Sequence, residues 1–328
     1  MNLLEQQSAN RRRTWMVMIV FVLFLCFIGA GFDVFAIGGG VYGVPIATMA
    51  ALTIGVASAW GTYMAGDRAV LASASAEPIE TRLASAATDE DRLRYTQFQN
   101  VVEEMAIAAG VPAPKAYVIP DADPNAFATG RDPAHASIAV TDGLLHALNR
   151  EELQGVVAHE LGHVRNFDIR LMMIIAGLVG GVMLLADWSG RSLWFGGLGR
   201  GSSRRSNNRD LGPLVALFFV LWIVAIVLAP IVGQLLAMAV SRTREYQADA
   251  TGAELTRNPL ALASALKKID GAVAPTTSIK RGSAHLCIAD PLGRSLTDGA
   301  SRWSSLMATH PPMDKRIAAL EQMAYQKH

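Results

Sequence analysis

Cysteine is scarce in this chain. Two occur in 328 residues, Cys26 inside an apolar run and Cys287 far away in a polar stretch. Such a pair builds no disulfide framework, which suits a reducing compartment. A surplus of charge is missing too, with 29 basic against 28 acidic residues and a net charge of +1. No global field recruits nucleic acid or an acidic polymer, so any electrostatic function is local. Aromatic residues supply only 7% of a composition that is 51% hydrophobic. With a mean hydropathy of +0.28, the composition points to a membrane protein.

The apolar residues are gathered into runs. After Arg11, Arg12 and Arg13, the stretch from Trp15 to Ala36 is apolar except for Asp33. At ~1.5 Å per residue it is long enough to cross ~30 Å of hydrocarbon. It also exceeds the ~7 to 15 apolar residues of a cleaved signal peptide. A second run, Val41 to about Ala65, follows the Gly38-Gly39-Gly40 turn. Residues 1–66 therefore read as a transmembrane hairpin. From 67 to 170 the chain turns polar, and a soluble domain is expected. Leu93, Val101, Val102, Met105 and Ala106 predict an amphipathic helix ended by Gly110, and Lys115–Ile119 and Ser137–Thr141 predict short strands. Residues 171–240 hold a third run, about Leu171 to Ala186, and a fourth, about Leu211 to Val240, around a loop rich in Gly, Ser and Arg. Residues 241–328 are polar again and form the second part of the soluble domain.

The chemistry is carried by His159-Glu160-Leu161-Gly162-His163. Asn149 and Glu152 form a capping pair that opens the helix bearing it. Residues four apart share a helix face, so His159 and His163 can reach one Zn²⁺. Glu160 sits ~100° further round, beside the metal rather than on it. It is placed to take a proton from an attacking water whose pKa the metal lowers toward ~7.

An open zinc site needs a third protein ligand. A third histidine six residues after His163 is ruled out, because that position is Ile169, and Asn166 stands where the same pattern has Gly. Downstream, Ser241-Arg242-Thr243-Arg244-Glu245-Tyr246-Gln247-Ala248-Asp249 places two acids four apart. Either Glu245 ligates and Asp249 supports a ligating histidine, or both acids pair with Arg242 and Arg244 on an exposed helix end. Asp168 reads as a helix-face acid. His135, His146, His285 and His328 lack partner spacing and read as surface or structural residues.

The pentapeptide, the hydrophobic hairpin after it and the segment Ser241 to Asp249 together resemble the HtpX-type membrane zinc peptidases, relatives of the prenyl-protein (CAAX) endopeptidases. The resemblance runs from the first apolar run to His310 and Arg316. It implies an α-helical membrane protein with a mixed α+β zincin-like (gluzincin) catalytic domain and about four transmembrane or membrane-embedded helices. It also implies one Zn²⁺ per chain, Glu245 as the third ligand, and proteolysis of membrane or misfolded proteins. Asn125-Ala126-Phe127-Ala128 would border the substrate cleft, Arg316 would join the substrate site, and His310 of Thr309-His310-Pro311 would lie near the reacting carbonyl. Physically, an extended Asn125–Thr129 edge either adds a substrate strand or is an ordinary strand and turn. His310 either donates to the oxyanion or caps the helix through Arg316 and Leu320.

Both halves of the metal site must share a membrane side, so the third and fourth runs are expected to form a second hairpin. Arg11 to Arg13 predict a cytoplasmic amino terminus. With the resemblance, this gives a multi-pass protein of a bacterial-type inner membrane, its site facing the cytoplasm. The bilayer and protein or peptide substrates are the expected partners, and nucleic acid is not. Arg191, Arg200, Arg204, Arg205 and Arg209 would then lie outside, against the positive-inside rule. Glu151, Glu152, Arg165, Asn166 and Asp168 flank the motif too closely for burial in lipid.

Overall fold

Long aliphatic runs leave the backbone no better option in hydrocarbon than to satisfy its own hydrogen bonds as helix. The computed structural model describes residues 3–36, 44–175, 177–178, 213–272, 278, 286–289 and 311–325, with side chains 226–243 left aside. Its first two runs are α1 (Leu3–Gly31), extended by a π turn at Phe32–Ala36, and α2 (Ile46–Ser73). Among the described residues, the helices at Gln7–Phe35 and Ile46–Ser73 are long and apolar enough to cross a membrane. Met16, Ile19, Val20 and Leu23 of α1 and Met49, Leu52, Ile54 and Val56 of α2 are exposed, as lipid-facing side chains are. Asp33 breaks the apolar pattern for a local reason. Its carboxylate accepts from the backbone N–H groups of Ala47 and Thr48 at 2.9 and 2.8 Å and from Thr48 Oγ1 at 2.7 Å. It thereby satisfies the unpaired donors at the start of α2.

The chain divides into two compact units. One comprises Met1–Thr14, Tyr63–Ala176 and Leu236–His328; the other comprises Trp15–Thr62 and Gly177–Leu235. The first fourteen residues thus belong with the polar unit. In that unit β1 (Glu77–Pro78), α3 (Ile79–Ala84) and α4 (Asp89–Ala109) come first. Thr88 caps α4 by accepting from the Asp91 N–H, and Gly110 ends it at φ 68°, a left-handed conformation that favours glycine. Val101, Val102 and Ala106 are buried as the periodicity predicts. Leu93, expected on the same face, is 71% exposed, because at ~100° per residue it points away from the side that buries Tyr95, Phe98, Val102 and Ala106.

Next come β2 (Lys115–Ile119), β3 (Ala126–Gly130), β4 (Ala136–Thr141), α5 (Asp142–Ala147) and α6 (Arg150–Arg165). The sheet order is β1-β2-β4-β3, with β2 and β4 parallel and both outer pairings antiparallel. The two strands read from the sequence are the inner ones, and β3 is an edge. Helix α6 packs on α4 and on the sheet through Leu153, Val156, Val157 and Leu161, all buried. Residues 168–175 are helical, and the rest of the third apolar run, apart from 177–178, lies outside the described residues, as does the Gly/Ser/Arg-rich loop.

The fourth run differs from expectation. Instead of stopping before a separate helix at Ser241, α7 (Pro213–Thr256) continues unbroken for 44 residues and carries Glu245 and Asp249. The segment from Ser241 to Ala250 contains neither Gly nor Pro, so nothing local interrupts it. Helices α8 (Pro259–Asp270) and α9 (Met313–Tyr325) complete the description.

Candidate metal centre

Helix α6 begins with a full capping box, Asn149 accepting from the Glu152 N–H and Glu152 from the Asn149 N–H. Glu152 is also held by Ser264 and Lys268 at 2.7 Å each. Burial favours its neutral form, yet these bonds outweigh it and lower its pKa. The anchored helix buries nearly its whole second half, including His159 (0% exposed), Glu160 (1%) and His163 (3%). Helix α7 crosses it where neither helix has a side chain in the way. A Cβ on Gly162 would stand 3.2 Å from Ala248 Cα, and one on Gly252 would stand 3.2 Å from the His159 nitrogen. This close crossing brings Glu245 against the two imidazoles.

His159 Nε2 lies 3.7 Å from Glu245 Oε2, and His163 Nε2 lies 3.6 Å from Glu245 Oε1. One ligand atom from each of the three falls within 4.8 Å of the others. The rings meet edge to face, with centroids 4.9 Å apart. These separations are too long for hydrogen bonds. They approach the ~3.3–3.5 Å between ligand atoms that share a tetrahedral ion at ~2.0–2.1 Å.

The far side of each ring is fixed. His159 Nδ1 meets Asp249 Oδ1 at 2.9 Å, and His163 Nδ1 meets Asp168 Oδ2 at 3.3 Å. A carboxylate on Nδ1 selects the tautomer whose lone pair is on Nε2, facing Glu245. Asp249 is held by both Nε and Nη2 of Arg316, at 2.8 and 2.7 Å. Burial alone would raise its pKa, but the guanidinium beside it holds Asp249 below the usual carboxylate range. The same two acids, Asp249 and Glu245, raise the pKa of Arg316 against the effect of burial. Asp168 accepts from Asn10 Nδ2 at 2.8 Å and faces Arg244 Nε at 3.3 Å.

The electrostatics call for a cation. Burial by itself would depress the His163 imidazolium, yet its hydrogen bond to Asp168 and the charges of Glu245, Asp168 and Glu160 push its pKa up to about 9. Burial raises the Glu160 pKa while the neighbouring imidazoles pull it back. Glu160 Oε2 is buried with no hydrogen-bond partner among the described residues. Two imidazoles, a carboxylate and one unengaged base are a donor set that fits an open divalent-cation site.

Other sequence expectations fare differently. Asp168, read as a helix-face acid, is 2% exposed and partners His163. Its signal was faint, because the backbone reverses at Phe167, φ 60°, and no helical spacing survives that turn. Asn10, 158 residues from Asp168, had no local signal at all. Arg316, expected at the substrate site, is placed in the interior beside the three clustered side chains. It is 0% exposed and donates to Asp249 and to the Ile288 carbonyl. Asn125, Ala126 and Phe127 are buried too. The β3 edge, read either as a place for a substrate strand or as an ordinary strand and turn, is covered at its start, with the Ile288 N–H donating to the Ala126 carbonyl at 2.9 Å and Phe127 bridging to Cys287. His135 is exposed and pairs with Asp132, and His146 is half exposed. His310, His285 and His328 lie outside the described residues.

The sequence profile of peptidase family M48 matches residues 92–324. The protease HtpX homolog of Thermoanaerobacter pseudethanolicus is 41% identical over 321 residues, covering 98% of both chains. The protease HtpX homolog of Lactobacillus helveticus is 39% identical over 323 residues, covering 98% of this chain and 100% of the relative. The crystal structure of S. mikatae Ste24p aligns at 20% identity with a TM-score of 0.49, covering 94% of this chain and 67% of that one. A profile match across most of the chain and end-to-end relatives at this identity mean that the chain belongs to peptidase family M48, as a membrane-bound metalloendopeptidase.

Proposed function

We propose that His159, His163 and Glu245 hold one Zn²⁺ and that Glu160 is the general base of peptide-bond hydrolysis. The observation that carries this is the convergence within 4.8 Å of buried ligand atoms from His159 and His163 of α6 and Glu245 of α7, beside Glu160, which has an unengaged buried oxygen. A zinc ion bound there supplies Lewis-acid polarisation of the scissile carbonyl and makes water easier to deprotonate. Glu160 accepts the proton of the attacking water and returns it to the leaving amine. Its burial supports this role, since a desolvated carboxylate is a stronger base than one in water. Asp249 and Asp168 keep the imidazoles in the metal-binding tautomer, and Arg316 keeps Asp249 charged. Hydrolysis of an unfolded model protein that stops with chelator, returns with zinc and is absent in Glu160→Gln tests the assignment.

Asp249→Asn and Asp168→Asn are each expected to weaken zinc affinity by about 10- to 100-fold while leaving Glu160 in place. A competition titration with a zinc indicator measures it. Unchanged affinity in both variants would strip the two acids of this orienting role.

The substrates that suit this arrangement are membrane or misfolded proteins, in a quality-control role. The four expected membrane helices, the zincin-like classification and the division of the catalytic domain into 67–170 and 241–328 belong to the same reading. So does a bacterial-type inner membrane with the site on the cytoplasmic face, supported by Arg11 to Arg13 at the start of α1. A cysteine placed at the exposed Ser85, with Cys26 and Cys287 replaced, is expected to resist an impermeant thiol reagent in intact cells. It should react once the cells are permeabilised, and labelling without permeabilisation would reverse the orientation.

A further inference from the structure

The geometry points to Leu286–Ala289 as an internal pseudosubstrate strand, seated on the β3 edge in the resting enzyme and displaced when an extended polypeptide enters. This rests on the reading that β3 borders the substrate cleft of an endopeptidase. Strand addition uses the outward-facing backbone groups of an edge. At the start of β3, at Ala126 and Phe127, those groups are engaged within the chain itself. Ile288 N–H donates to the Ala126 carbonyl at 2.9 Å, Cys287 bridges antiparallel to Phe127, and Asn125 Nδ2 donates to the Ala289 carbonyl at 3.1 Å.

The segment also touches the metal cage. The Ile288 carbonyl accepts from Arg316 Nη1 at 3.0 Å, and the same nitrogen lies 3.0 Å from Glu245 Oε2. Backbone groups of one short segment, bridged to β3 at Cys287, thus engage the edge strand on one side and an arginine of the metal cage on the other, as a bound peptide would. An incoming peptide offers the same N–H and C=O groups at the same spacing, so the exchange conserves hydrogen bonds. Displacement frees the Ala126 carbonyl, the Asn125 carboxamide and Arg316 Nη1 together for substrate. Recognition through backbone alone fits extended chains of varied sequence.

Cys287 reports on the exchange, since it is 1% exposed. In full-length protein carrying Glu160→Gln and Cys26→Ala, thiol labelling of Cys287 is expected to be slow. It should accelerate at least tenfold on adding a fluorescein-labelled unstructured peptide, half-maximally where anisotropy shows half-maximal binding. A peptide that binds while Cys287 stays protected overturns the proposal and makes the segment a permanent strand. Ile288→Pro, which removes the N–H donor to Ala126, is the second arm. It is expected to tighten peptide binding roughly two- to tenfold, the scale of one net hydrogen bond. Unchanged, weakened or absent binding in a folded Ile288→Pro protein also overturns it. Hydrolysis of the same peptide by the parent protein is scored separately. Its absence counts against the endopeptidase assignment rather than against the strand.

Discussion

Glu160→Gln is expected to bind zinc with the parent's stoichiometry, insert into membranes and keep its fold, yet lose about 10²- to 10⁴-fold in peptide hydrolysis. The amide matches the carboxylate in shape but cannot accept the proton of water. That range corresponds to roughly 3–5.5 kcal/mol of transition-state stabilisation. The opposing effect on folding is smaller. Glu160 Oε2 makes no hydrogen bond among the described residues, so the substitution breaks none there, and burying an unsatisfied amide costs about 1–3 kcal/mol. A fold stabilised by its metal and a full capping box tolerates that; catalysis does not. Steady-state cleavage of an unfolded substrate, run beside metal analysis of the same sample, checks both halves. If the variant cleaves at the parent's rate while chelator still inhibits both, Glu160 is not the base.

Glu245→Ala is expected to empty the metal site. Sharing the ~10–16 kcal/mol of a four-ligand zinc site evenly gives ~3–4 kcal/mol per ligand, or roughly 10²- to 10³-fold in affinity. The remaining pair, His159 and His163, would be two ligands on one helix face with nothing opposite them. Activity disappears with the metal, unlike Glu160→Gln, in which it disappears without it. Glu254→Ala is the control, an exposed acid on the same helix, and should leave zinc content unchanged. Zinc measured after dialysis against a weak chelator separates the two. Full retention in Glu245→Ala would remove that residue from the ligand set.

Much of the site was legible because its chemistry is local. The period of an α-helix puts His159 and His163 on one face and Glu160 beside them whatever surrounds the helix. Asn149 and Glu152 announce the start of that helix for the same reason. The apolar runs are equally local, since the length of hydrocarbon to be crossed sets the length of the run. Glu245 stood at the border of legibility. Its own segment offered both a ligand and an exposed ion pair, and the resemblance chose between them.

What the sequence determined by itself is therefore what rests on spacing within one element: two membrane-length helices, the strands Lys115–Ile119 and Ser137–Thr141, and the paired histidines with their neighbouring acid. Tertiary structure alone decided what surrounds them. Asp168 turns onto His163 because the backbone reverses at Phe167, and Asn10 reaches it across 158 residues. Arg316 neutralises Asp249 and Glu245 in the interior. The β3 edge is covered by a four-residue segment from the far end of the chain. These partners are chosen by the cost of leaving a buried charge or backbone group unpaired, and that cost exists only once the fold has made a place buried.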